Sequence, residues 1–105
     1  MKIFNNRTPC LFINVGGILT KLLEESDISK SHRIIKYDIL KEKRDITSIV
    51  NKLKISIIVI ETSKVKEFPD NIIREIIELR TKGIIVYEAE EFYEAINKRI
   101  PIVKL

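Results

Sequence analysis

Short apolar runs alternate along this chain with apolar positions at helical spacing. Residues 10–15 (CLFINV) read as a buried strand that ends at Gly16-Gly17. Leu19, Leu22 and Leu23 follow at helical spacing, which predicts a helix from Gly17 to about Ser26. Ser26 to Ser31 is polar and reads as a loop, and residues 33–37 (RIIKY) predict a second strand closing at Asp38. Asp45 has the chemistry of an N-cap, and Ile46, Ile49, Val50 and Leu53 fall at i, i+3, i+4, i+7, the apolar stripe of a second helix. Residues 55–60 (ISIIVI) are almost continuously apolar, as expected for a parallel strand covered on both faces.

Pro69 and Asp70 open a third predicted helix, with Ile72, Ile73, Ile76 and Ile77 as its stripe. Arg74–Glu78 and Glu78–Lys82 are i, i+4 pairs on its polar side. Gly83 suits the left-handed position after a helix. Residues 84–87 predict a fourth strand. Glu90 and Glu91 then suit a helix N-terminus, where negative charge meets the positive end of the dipole. Phe92, Tyr93 and Ile96 form that helix's apolar face, Ile100-Pro101-Ile102 ends it, and residues 102–105 offer a short fifth strand.

Strands alternating with helices imply a parallel sheet joined by right-handed crossovers. The most economical fold is α/β: a small Rossmann-like three-layer sandwich of four or five parallel strands, order 3-2-1-4(-5). One domain is expected over residues 1–105, with 1–9 as an N-terminal extension.

Composition adds a physical constraint. The 105 residues include 22 isoleucines and only two alanines, Ala89 and Ala95, so the core is built from β-branched side chains that favour buried strands. No apolar run approaches the roughly 18 residues of a membrane span, and residues 1–8 lack the hydrophobic core of a signal peptide. The single cysteine, Cys10, reads as a buried, inert thiol in a reducing, cytoplasmic setting. Net charge is +4. Lys41, Lys43 and Arg44 form a basic cluster interrupted by Glu42, with no aromatic nearby except Tyr37. That reads as a solvated loop, and no nucleic-acid partner is expected.

The candidate chemistry lies at the first strand-to-helix turn. Aligned with the dinucleotide fingerprint G-x-G-x-x-G/A, the turn reads Asn14-Val15-Gly16-Gly17-Ile18-Leu19. Asn14 takes the first glycine position and tolerates a left-handed backbone. Gly16 holds the second, where backbone would approach a pyrophosphate, and Leu19 replaces the third small residue. A tight turn that needs glycine and binds nothing explains these residues equally well. Asp38, 22 residues after Gly16, stands where an acidic side chain would reach a ribose hydroxyl. Thr62, Ser63 and Glu88 follow or end later strands and would line the same crevice, between the first and fourth strands. The expected ligand there is NAD(P) or a nucleotide sugar.

Catalytic groups are harder to assemble. His32 is the only histidine and sits in a polar stretch, reading as a flexible surface residue. It has no second histidine or cysteine cluster for a metal. Glu24-Glu25 and Glu90-Glu91 are sequence neighbours, pointing about 100° apart on a helix, so neither makes a preformed acid pair. No catalytic residue and no metal ligand is assigned, and the chain alone is not expected to be an enzyme.

The second half carries a more specific signal. Gly83-Ile84-Ile85-Val86-Tyr87-Glu88-Ala89, then Phe92-Tyr93-Glu94, then Arg99-Ile100-Pro101 resembles the end of the Rossmann-like cytoplasmic domain of bacterial polyprenyl glycosylphosphotransferases. These membrane sugar transferases initiate capsule, exopolysaccharide or O-antigen synthesis on undecaprenyl phosphate. The family pattern is a G-V-x-V-x-D/E-A strand, then F-Y-E, then T-G-R/K-I/V-P. Lys98 stands where the family has glycine, and the stretch from Asp38 to Asp45 is shorter than usual.

The resemblance implies a regulatory, nucleotide-binding-like domain that follows membrane helices and precedes the catalytic region. It would lie on the cytoplasmic side of the inner membrane as part of a longer protein and be itself soluble. A similar domain precedes membrane nucleotide-sugar epimerase/dehydratases, the alternative parent. A homo-oligomer, associating through an isoleucine-rich edge or helix face, is also expected.

Overall fold

The computed structural model describes residues 7–26 and 28–99. Its strands are β1 (Thr8–Ile13), β2 (His32–Tyr37), β3 (Ile57–Ile60) and β4 (Ile85–Glu88). Its helices are α1 (Gly17–Glu24), α3 (Ile46–Leu53), α5 (Asp70–Thr81) and α6 (Ala89–Arg99), with single turns α2 (Ile28–Ser31) and α4 (Thr62–Val65). The four strands form one all-parallel sheet, consistent with a small Rossmann-like domain.

The sheet has helices on both faces because β1 and β3 are apolar on both. Leu11, Ile13 and Ile58 point toward α3 and α5, where Ile46, Ile49, Ile72, Ile76 and Leu79 meet them. Cys10, Phe12, Ile57 and Val59 point the other way, toward Leu23 of α1, Ile28 of α2, and Phe92 and Ile96 of α6. Phe92 sits edge-on to Phe12 with ring centroids 5.7 Å apart. Burying side chains of this size stabilises by about 1.5–3 kcal/mol each.

The strand order is β2-β1-β3-β4, not the expected 3-2-1-4. Both orders satisfy right-handed crossovers, so handedness does not choose between them. Burial does. The expected order puts RIIKY inside the sheet, where Arg33 and Lys36 would lose water, and puts ISIIVI at an edge. In the observed order β2 is an edge strand with Arg33 and Lys36 exposed, while Ile57, Ile58 and Val59 of β3 are buried in the interior. The fifth strand expected at 102–105, and the end of α6 expected at 100–102, lie outside the described residues.

Local chemistry sets the boundaries. β1 begins at Thr8, two residues before the predicted start, and the carbonyl of Pro9 accepts from the N–H of Ser56 at 3.4 Å. The strand also stops earlier, because Asn14 turns into the left-handed region at φ 51°. Asp45 caps α3, accepting from the N–H of Ser48 at 3.0 Å. Gly83 follows α5 at φ 110°, where a side chain would be strained.

The predicted loop at 26–31 instead holds the turn α2. Ser26 Oγ accepts from the N–H of Ile28 at 3.2 Å, and Ile28 is fully buried. His32 is likewise not a free surface residue: it starts β2, lies 2.7 Å from Ser31 Oγ, and packs edge-on against Phe92. The predicted Arg74–Glu78 and Glu78–Lys82 pairs do not form ion pairs. Glu75 makes the useful contact on that helix, accepting from the N–H of Thr47 at 3.0 Å and tying α5 to α3. Among the described residues no helix is long and apolar enough to cross a membrane.

Candidate functional site

Parallel register brings the strand exits side by side: Ile13 is level with Tyr37 of β2 and with Ile60 of β3. In this order the sheet reverses direction between β1 and β3, and ligands of open α/β sheets bind outside the carboxyl ends at such a point. The crevice therefore lies between the first and third strands, not the first and fourth.

Asn14 organises one side of it. Its N–H donates to the carbonyl of Tyr37 at 2.9 Å, and its Oδ1 accepts from the N–H of Ile39 at 2.9 Å. The left-handed backbone at Asn14 thus ties the exit of β1 to the exit of β2. Asp38 lies on the adjoining loop, where its Oδ1 accepts from the N–H of Leu40 at 2.9 Å.

A groove of about 740 Å³ opens over this edge on the α1 side, lined by Asn14, Gly16, Gly17 and Asp38. Lys21, Lys36 and Lys64 bring positive charge to its wall. Lys36 pairs with Glu24 at 3.4 Å. The volume falls in the range of small-molecule sites, roughly 300–1,000 Å³. Thr62, Ser63 and Glu88 are not among its lining residues. Thr62 and Ser63 begin α4, and Glu88 Oε1 accepts from the N–H of Glu90 at 2.8 Å, capping α6. Of the seven predicted residues, four come together and three do not.

The position facing Gly16 is filled from within the chain. Glu61, the first residue after β3, extends its carboxylate across the switch point and accepts a hydrogen bond from the Gly16 N–H. A Cβ placed on Gly16 would lie 3.0 Å from Glu61 Oε1, so the close approach that glycine permits here is made by a carboxylate. Gly17 has no such neighbour. α1 has no acidic residue in its first turn and no side-chain cap of its own. Glu61 supplies both from across the sheet. Lys64, one turn further along, stands 4.0 Å from the same oxygen.

A pyrophosphate placed on Gly16 would meet this carboxylate at contact distance. The residues present, in this arrangement, do not fit a dinucleotide at the fingerprint turn. No buried side-chain nitrogen or oxygen among the described residues lacks a hydrogen-bond partner. No cluster of three or more metal-binding side chains occurs among the described residues. Elsewhere, burial pushes the Cys10 thiol up to about 12. Burial also raises Tyr37, whose hydroxyl donates to the carbonyl of Arg44 at 2.8 Å.

Sequence reasoning missed Glu61, Lys64, Lys21 and Lys36. Glu61 had a signal: it directly follows the most apolar strand, the place from which a residue faces Gly16 once β3 lies beside β1.

Comparison with known families, with curated proteins and with solved structures finds no match to this chain.

Proposed function

We propose that this chain is a non-catalytic, Rossmann-like domain of a bacterial polyprenyl glycosylphosphotransferase. It serves regulation or scaffolding, while sugar-phosphate transfer to undecaprenyl phosphate belongs to a region outside these residues. Parentage rests on the resemblance over residues 83–101 quoted above. An unloaded Gly16 turn is supported by one observation: the Glu61 carboxylate occupies the Gly16 N–H that a resident nucleotide phosphate would need. The domain acts from the cytoplasmic side of the inner membrane.

A second reading, a domain sensing NAD(P) or a nucleotide sugar, as in an epimerase/dehydratase, is favoured by the lysine-lined groove beside Asn14 and Asp38. It requires Glu61 to leave Gly16.

Transfer of a labelled sugar phosphate to undecaprenyl phosphate, assayed in membranes carrying the parent enzyme, separates these roles. Removing residues 8–99 should lower transfer without abolishing it. Complete loss of turnover on Asp38→Asn or Glu88→Gln, with the domain still folded, would overturn the non-catalytic reading. A coding sequence with neither membrane helices before this segment nor a transferase region after it would overturn the parentage.

A further inference from the structure

Among the described residues β4 has a sheet neighbour on one side only, β3. The other edge strand, β2, exposes Arg33 and Lys36, the kind of charge that discourages strands from pairing edge to edge. β4 (IVYE) has no charge before its last residue, and Ile85 is 51% exposed. Beside it, on the α5 face, lies a largely apolar groove of about 180 Å³ lined by residues that include Ile60, Phe68, Ile77, Arg80 and Val86. Ile77 is 50% exposed. A right-handed crossover from β4 to a strand beyond it would carry its helix on the α5 face. α6 lies on the opposite face, packed against Phe12 and Val59.

The geometry points to β4 as the seat of antiparallel pairing with β4 of a second copy of this chain. The two-fold axis runs perpendicular to the sheet, midway between Val86 and Val86 of the second copy. Side-chain alternation selects this register, because residues directly opposite one another must share a face. Ile84 and Val86 pack on the α5 side and Tyr87 on the α6 side, so Ile85 shares the face of Tyr87. Centred on Val86, the pairing places exposed Ile85 opposite Tyr87 of the second copy, twice over. A β-branched residue facing an aromatic is a favourable cross-strand pair.

Charge fits the same register. Ile84 falls opposite Glu88 of the second copy, and Arg80 of α5 lines the same groove as Val86. The Arg80 guanidinium has no ion-pair partner among the described residues. Glu88 commits one oxygen to the Glu90 N–H; the other, which bonds to none of the described residues, can accept from Arg80 across the axis. The product is a continuous eight-stranded sheet whose two unguarded edges cover each other.

Sedimentation equilibrium of the 105-residue chain, from micromolar to submillimolar concentration, tests this. The mass should rise from 12.3 kDa toward twice that value. Ile85→Lys should weaken the dimer at least about tenfold while circular dichroism and melting stay near wild type. Arg80→Glu and Glu88→Lys should each weaken it alone, and an equimolar mixture of the two should regain it, since both ion pairs are restored in the mixed dimer. Val86→Cys should cross-link to its own copy under mild oxidant, because antiparallel partners keep their Cα atoms about 4.5–5.5 Å apart. A monomer at the highest concentration overturns the proposal. So does a dimer that survives Ile85→Lys and fails to cross-link through Val86→Cys.

Discussion

Asn14 shows how much one position can carry. Its left-handed backbone ends β1, and its side chain holds the β2 exit in place. Asn14→Ala should therefore cost about 2 kcal/mol, from the backbone penalty plus the lost hydrogen bond. Asn14→Gly should cost only the bond, about 1 kcal/mol, and denaturant melts of the two variants check the difference. The spacing of the turn already marked Asn14 as tolerant of that backbone. Its bond to Ile39 was not legible, because nothing local says that residue 39 lies beside residue 14.

Asp45 is the opposite case, readable as an N-cap from its place before an apolar stripe. Its bonds to Ser48 hold the carboxyl below the usual aspartate range. The folded state thus favours the charged form, so the stabilisation is present above about pH 4 and fades as pH falls through the lowered folded value. Asp45→Asn should keep the cap but remove that part of the acid dependence, as melts across the acidic range would show. At Cys10, burial and a pKa of about 12 predict no alkylation by iodoacetamide at pH 8 until the protein is unfolded. Rapid labelling of the native protein, read by mass spectrometry, would contradict this.

Among the elements, β3 decides the topology. Its apolar run was plain in the sequence, as were the four strands and the four longer helices. The order of the strands does not follow from crossover handedness, which allows both arrangements; the charges in RIIKY are the edge signal that separates them. Two single turns were also missed. Ile28 and Val65 are the single apolar residues of these turns, set in polar stretches, and periodicity finds no repeat in one residue. A central β3 predicts that Ile58→Ala, at a fully buried position, costs about 2–5 kcal/mol. Ile85→Ala, on the half-exposed edge, should cost well under that in the monomer.

At the scale of the whole molecule, two observations act together. A three-layer sandwich presents its strand exits along one edge, as in proteins that bind nucleotides there. In this chain that edge is closed at its critical point by Glu61, which caps α1 and fills the space before Gly16. That Asn14, Gly16, Gly17 and Asp38 lie together along one groove was foreshadowed by local signals, a glycine-bearing turn and a strand-end aspartate. The residue that changes their meaning comes from 45 positions away and becomes visible only when β3 is set beside β1. Glu61→Ala should destabilise the fold by about 1–2 kcal/mol through loss of the cap, and Glu61→Gln by less.

With Glu61 on its N–H, the Gly16 turn should hold no resident nucleotide. Thermal melting of the wild-type chain with millimolar NAD, NADP, UDP-sugars and coenzyme A tests it most directly. The expected result is an unchanged melting temperature with every ligand. A ligand at 100 times its dissociation constant would add about 2.7 kcal/mol, a shift on the order of 10 °C for a domain of this size. A shift of that size that vanishes when Gly16 is replaced would contradict the claim.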